Sequence, residues 1–257
     1  VSVTISTVAG VTKLFVTGTG CSHAREQMST NVVVQYEGFK LGIECPHPIM
    51  HQMHLSGLAA ENVDAWFVTH IHADHVSGLE SLAFYRWYQL GRSTTICAAN
   101  DVLGPLSRIH RVSALGRQTT LDGEPAGLSL REVYYGLEAK TSEPTELGPF
   151  LIEVKKVKHV VPTYAVKVTS PDGISFAYSG DTVADKPTVE WLAKADIFAY
   201  DSCGGPIHAS PEDLSSMLSV DDKKRCMLLH RGDREYERAK AEGFIVPEAG
   251  YSITLGG

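Results

Sequence analysis

Thr69-His70-Ile71-His72-Ala73-Asp74-His75 places four potential metal ligands within positions 70–75. The apolar run at 63–69 reads as a buried strand that ends where the histidines begin. In an extended segment, side chains two apart share a side, so His70 and His72 can grip one cation. The turn that follows carries Asp74 and His75 and can face a second. Clustered imidazoles and a carboxylate are costly to desolvate without a compensating cation, which disfavours an accidental His-rich turn. Nitrogen and oxygen donors together suit zinc, and also iron or manganese.

Upstream of this segment, residues 11–16, 31–36 and 39–44 are β-branched or alternating and are punctuated by Gly18, Gly20 and Gly38, so an antiparallel sheet is predicted there. A short helix is expected at 46–55. Downstream, 77–90 has helical spacing with Gly91 as its stop. A strand at 94–98, a helix at 101–111 and a connection at 116–127 follow. In the second half, strands are expected at 128–135, 150–158, 164–168, 174–178, 197–200, 226–229 and 251–255, and helices at 187–194, 211–218 and 234–241. Two halves that each mix strands and helices predict an α/β fold of four layers, an αββα sandwich of two mixed sheets flanked by helices. No low-complexity linker interrupts the chain, so residues 1–257 are read as one domain.

The 257 residues are 43% hydrophobic, enough to bury a substantial core. A formal net charge of −7 repels polyanions, so a small-molecule substrate is expected and a long nucleic-acid track is not. Cysteines at 21, 45, 97, 203 and 226 form no Cys-x-x-Cys pair and read as reduced, mostly structural thiols. No stretch of about 18 apolar residues exists, and the first residues lack the pattern of a secretion signal, so no membrane contact and a cytoplasmic location are expected. The chain does not begin with Met, which leaves open whether its N-terminus was processed.

His-x-His-x-Asp-His after an apolar strand resembles the signature of the metallo-β-lactamase superfamily, and the resemblance extends over almost the whole chain. Lys158-His159-Val160-Val161-Pro162 followed by Tyr164 is similar to the next histidine motif of its ribonuclease Z-like branch. Tyr178-Ser179-Gly180-Asp181-Thr182 resembles the motif whose aspartate bridges two metals, and Leu228-Leu229-His230 resembles the last histidine motif. Carried over position by position, the resemblance implies that His70, His72 and His159 hold one divalent ion, that Asp74, His75 and His230 hold the other, and that Asp181 bridges them. Ala199-Tyr200-Asp201 and His208-Ala209-Ser210 look like the branch's proton-relay pair, with Asp201 orienting His208 as general acid. Asp74 is counted with that pair among the catalytic groups. Ser210 also reads as the cap of the helix that follows. A homodimer is implied by the resemblance alone.

Two cations about 3.5–4 Å apart lower the pKa of a shared water toward neutrality, so the expected nucleophile is a bridging hydroxide. No Gly-x-Ser-x-Gly elbow competes with it. The glycine-rich stretch 18–25 is similar to the first loop of the branch, where His23 or Arg25 would pair with a phosphate, though a tight turn explains it equally. Two departures stand out. Glu44 replaces the usual aspartate before Cys45, one methylene longer at a position expected to support the ligands. The long arm and Pro-x-Lys-x-Arg-Asn type loop of tRNA-processing members are absent, which argues against tRNA maturation. His47, His51 and His54 read as a polar helix face. The leading expectation is a dinuclear metallohydrolase acting as a phosphodiesterase on a small phosphodiester such as a cyclic nucleotide. The alternatives are lactone or thioester hydrolysis on the same site, di-iron oxygen chemistry, which His72 disfavours, and a non-catalytic metal-binding module, which the full ligand set disfavours.

Overall fold

A computed structural model describes residues 10–116, 118–119, 121–124 and 130–256. Strands β1 (Thr12–Gly18), β2 (Asn31–Tyr36), β3 (Phe39–Ile43), β4 (Ala65–Phe67), β5 (Thr94–Ala98) and β6 (Tyr134–Glu138) build the first sheet. The second contains β7 (Thr145–Leu147), β8 (Phe150–Val157), β9 (Thr163–Thr169), β10 (Ser175–Tyr178), β11 (Ile197–Asp201) and β12 (Cys226–Leu229). The last strand, β13 (Tyr251–Leu255), returns to the first sheet and pairs antiparallel with β1. The orders are β13-β1-β2-β3-β4-β5-β6 and β12-β11-β10-β9-β8-β7. Both sheets are mixed: β3 to β6 run parallel to one another, as do β10 to β12, while the remaining pairs are antiparallel.

Side-chain alternation explains the layering. Phe176 and Tyr178 of β10, Ala199 of β11, and Met227 and Leu229 of β12 join the core shared with Leu14, Val16 and Ile43 of the first sheet. Their neighbours Ala177, Phe198, Tyr200 and Leu228 point the other way. There they meet Val189 and Leu192 of α6 (Lys186–Leu192), Leu214 of α7 (Pro211–Met217) and Ala239 of α9 (Glu235–Ala241). A four-residue helix, α8 (Val220–Lys223), separates α7 from β12. On the other side lie α1 (Ile49–Leu55), α2 (Ala73–Val76), α3 (Leu79–Leu90), α4 (Asn100–Val112) and α5 (Leu130–Val133). From these, Met53, Leu82 and Leu106 are fully buried against the first sheet's core. The result is the expected four-layer αββα sandwich. Among the described residues, no helix is long and apolar enough to cross a membrane.

One element differs from its sequence reading. Where a strand was expected at 128–135, residues 130–133 form α5 and pairing runs from Tyr134 to Glu138. Leu130 and Val133 are three apart, and one helical turn sets both against Ala83 and Leu115. Residues 128 and 129 lie outside the described residues, as do 117, 120 and 125–127 of the expected connection. The short strand β7 had no sequence signal, because three residues cannot display an alternation.

Candidate metal centre

The expected metal-ligating residues stand just beyond strands of the sandwich, at one rim, with His208 on the connection between β11 and α7. Residues 69–75 follow β4, His159 follows β8, Asp181 follows β10, Asp201 ends β11 and His230 follows β12. Parallel neighbours deliver their C-terminal ends to the same side, which is why motifs scattered over 160 positions meet. Gly180 lets this happen: its φ is +60°, and a Cβ there would come within 2.9 Å of Thr69 Cβ.

Donor atoms of His70, His72, His159 and Asp181 all lie within 4.8 Å of one another, and so do those of Asp74, His75 and His230. Asp181 stands between the groups and divides its oxygens. Oδ2 is 3.6 Å from His70 Nε2 and 3.8 Å from His159 Nε2. Oδ1 is 3.3 Å from His75 Nε2 and 3.4 Å from His230 Nδ1. Asp74 Oδ2 closes the second group at 3.1 Å from His230 Nε2 and 3.6 Å from His75 Nε2.

Burial pushes the His70, His72 and His159 imidazoles below their ordinary value, toward the neutral form that ligates metals. Burial alone would raise Asp181, but His230 and His75 outweigh it and hold its carboxyl well below the usual range. Burial likewise opposes protonation of His75, yet Asp181 and Glu44 push its pKa up to about 10. Raised in the same way, His230 joins His75 in offsetting the buried Asp181 charge.

The buried atoms His70 Nε2, His75 Nε2 and Asp181 Oδ1 have no hydrogen-bond partner of adequate geometry. Orphaned nitrogens and a carboxylate oxygen converging on one point fit divalent ions.

The supporting hydrogen bonds settle which ring atoms are free. The Thr69 hydroxyl donates to Glu44 Oε1 at 2.5 Å and sits 2.9 Å from His70 Nδ1. Its one proton is committed to the carboxylate, so His70 Nδ1–H must donate to Thr69 and Nε2 is left with its lone pair. Glu44 Oε1 also lies 3.1 Å from His75 Nδ1. The extra methylene of Glu44 is thus accommodated, in part by a left-handed backbone with φ of +63°. His230 is left-handed too, with φ of +47°. Such conformations cost on the order of 1–3 kcal/mol and persist where surroundings impose them. Thr69 was missed as a supporting residue; its signal was a hydroxyl at the end of an otherwise apolar run.

Fully buried Asp201 holds the expected proton-relay partner. Its Oδ2 accepts from Thr182 N–H at 3.0 Å and His208 Nδ1 at 2.6 Å. Its Oδ1 accepts from Cys203 N–H at 3.1 Å and His230 Nδ1 at 3.2 Å. Burial pulls His208 down, but the bond to Asp201 prevails and raises it above the ordinary value. The His208 ring stands 5.4 Å from those of both His159 and His230. Ser210 is at the same time the cap of α7, in a reciprocal pair with Asp213.

The glycine-rich loop is a tight turn tied to the region after β12: Gly20 bridges Arg231, and Arg25 N–H donates to Asp233. His23 faces two sulfurs, those of Cys21 and Cys203. His47, His51 and His54 are exposed.

Fold and donor cluster together are those of a metal-dependent hydrolase with the metallo-β-lactamase fold. The metallo-β-lactamase fold protein YhfI from Bacillus subtilis superposes with a TM-score of 0.74 at 16% identity, covering 95% of this chain and 100% of that one. The short form of human tRNase Z superposes with a TM-score of 0.67 at 19% identity over 94% of this chain and 98% of its own. A family model described as anti-Pycsar protein Apyc1 matches residues 12–246, and the chain belongs to that family. The anti-Pycsar protein Apyc1 of Paenibacillus sp. (strain J14) is 31% identical over 230 residues, covering 86% of this chain and 89% of the relative. Family and donor cluster together point to a metal-dependent hydrolase.

Proposed function

We propose that this chain opens the ring of cyclic nucleotides, with cyclic pyrimidine monophosphates as its first substrates and linear nucleoside monophosphates as products. Degradation of cyclic pyrimidine nucleotides by anti-Pycsar proteins supports the substrate class. The observation that carries the reading is the His208–Asp201 pair beside the donor cluster. Opening a cyclic phosphodiester expels a ribose alkoxide, which needs a proton as the P–O bond breaks. Thiolate and other less basic leaving groups depend on such a donor far less.

In this reading His70, His72 and His159 would hold one divalent ion, Asp74, His75 and His230 would hold the second, and Asp181 would serve both. Bound there, the ions would supply a water acidic enough to attack at neutral pH and Lewis-acid contacts to the phosphate oxygens. His208 keeps Nδ1–H on Asp201 and presents Nε2–H to the departing ribose oxygen. As the P–O bond to the ribose breaks, that proton moves from Nε2 to the departing ribose oxygen. Asp201, fully buried and committed to four donors, fixes the ring. Asp74 would act through the second ion, which it would help to hold.

Zinc is the proposed ion at both positions, on the strength of an imidazole-rich donor set. We further propose a single domain over residues 1–257 acting in the cytoplasm, where five free cysteines stay reduced, and working as a homodimer on the superfamily resemblance. The test is hydrolysis of cyclic CMP and cyclic UMP by metal-analysed protein, beside bis-p-nitrophenyl phosphate, a lactone and a thioester. Metal-dependent release of CMP and UMP is expected. Turnover confined to the lactone or thioester overturns the proposal.

A further inference from the structure

Outside the donor cluster, a second convergence of ligating atoms brings together residues far apart in sequence. His23 Nε2 lies 3.5 Å from Cys21 Sγ and 3.7 Å from Cys203 Sγ, and all three donor atoms are within 4.8 Å of one another. One ring nitrogen carries either a single proton or a single lone pair, so it cannot hydrogen-bond fully to both sulfurs. Tetrahedral zinc, with bonds of about 2.3 Å to sulfur and 2.05 Å to nitrogen, sets its sulfur and nitrogen ligands about 3.6 Å apart. The observed separations match that spacing. Cys21 Sγ is also 3.7 Å from His23 Nδ1, so a small turn of this exposed ring would aim Nε2.

The two thiols are anchored by backbone rather than by chance. Cys21 N–H donates to Arg231 O at 3.1 Å, and Cys203 N–H donates to Asp201. A cavity of about 460 Å³ opens beside them, lined by His23, Cys203, Gly232 and Glu235 among others. Gly232 keeps that space clear: a Cβ there would stand 2.5 Å from Glu235 Oε2 and 3.8 Å from His23 Nε2. A fourth ligand, water or the Glu235 carboxylate, therefore has room. The hydrogen bond from Cys203 lowers the Cys21 thiol. Cys45, Cys97 and Cys226 differ, because burial pushes their thiols up and, among the described residues, none joins a donor group.

We propose that Cys21, His23 and Cys203 form a third cation site, for a thiophilic divalent ion such as zinc, at the rim of the catalytic centre. Occupied, it clamps the glycine-rich loop to the segment that leaves β11, two residues beyond Asp201. It shares no ligand with the catalytic donor set, which contains no sulfur.

Cadmium is the probe, titrated into the zinc-loaded protein with thiols kept reduced by a phosphine. Thiolate-to-cadmium charge transfer in the ultraviolet arises only from sulfur ligands, so exchange at the catalytic centre is silent. A saturating band of one equivalent is expected. It should be lost in Cys203→Ser, with circular dichroism showing that the variant is folded, and His23→Ala should move the titration midpoint to higher cadmium. No band in the parent protein, or an unchanged band in Cys203→Ser, overturns the proposal. An unmoved midpoint in His23→Ala overturns the three-ligand assignment.

Discussion

Replacing Asp201 with asparagine tests the proton-donor assignment on a nearly isosteric side chain. All four partners of Asp201 are donors, two on each oxygen: Thr182 N–H and His208 on Oδ2, Cys203 N–H and His230 on Oδ1. An amide keeps only one oxygen, so its NH₂ group meets donors whichever way it is turned. A hydrogen bond to a charged group is worth about 1.5–3 kcal/mol. Loss of the 2.6 Å bond to His208 should therefore cost roughly 10- to 150-fold in kcat. The ceiling is the complete contribution of a general acid, about 10²–10⁴. The assay is kcat for cyclic CMP across pH, on protein of measured metal content. Protonated His208 is the donor, and Asp201 raises its pKa against the pull of burial, so parent activity should fall as pH climbs through that raised value. With Asp201 gone, only the weaker pull of Asp181 opposes burial, and the falling limb should move to lower pH. A kcat within about threefold of the parent, under about 1 kcal/mol, with the limb unmoved refutes the reasoning.

Asp181→Ala should strip most of the metal from both positions, because each oxygen faces a different donor group; an unchanged metal content by emission spectrometry contradicts the bridging role. His208→Ala should keep its metal and lose about 10²–10⁴ in kcat; undiminished turnover removes it as the acid. Thr69→Val deletes the hydroxyl between His70 and Glu44 and should weaken metal affinity about 10–100-fold in a chelator competition, so an unchanged affinity argues against the relay. In chelated protein, His75 is raised from 6.5 to about 10. Its stabilising contribution is complete below the unfolded value and lost as pH rises through the folded one. The Tm of chelated protein should decline across that window, more than that of loaded protein, and parallel curves would show the protonated ring contributes nothing.

The candidate donor cluster was legible because ligation would demand particular side chains at particular strand ends, and the motif at 70–75 supplied both. His159, Asp181 and His230 became readable only through that first motif, since a single histidine after an apolar strand says little by itself. The sheets were legible from alternation, as Phe198 and Tyr200 pointing opposite to Ala199 illustrate. Residues 130–133 misled because an apolar pair three apart also suits one helical turn, and only Ala83 and Leu115 decide between them. Cys21 and Cys203 were read as structural thiols for a different reason. They are separated by 182 positions, and their meeting depends on Gly20 bridging Arg231 and on the exit from β11, neither of which leaves a local trace.

The pairing of β13 with β1 has a consequence for truncation. The family match stops at residue 246, and every proposed catalytic group lies at or before His230, so a shortened chain would keep all of the proposed site. It would also uncover one edge of β1 from Thr12 to Val16, where Leu14 and Val16 are fully buried. An open, apolar edge recruits strands from other molecules. The closing strand therefore protects against aggregation, and its removal should be felt first as precipitation rather than as slower turnover.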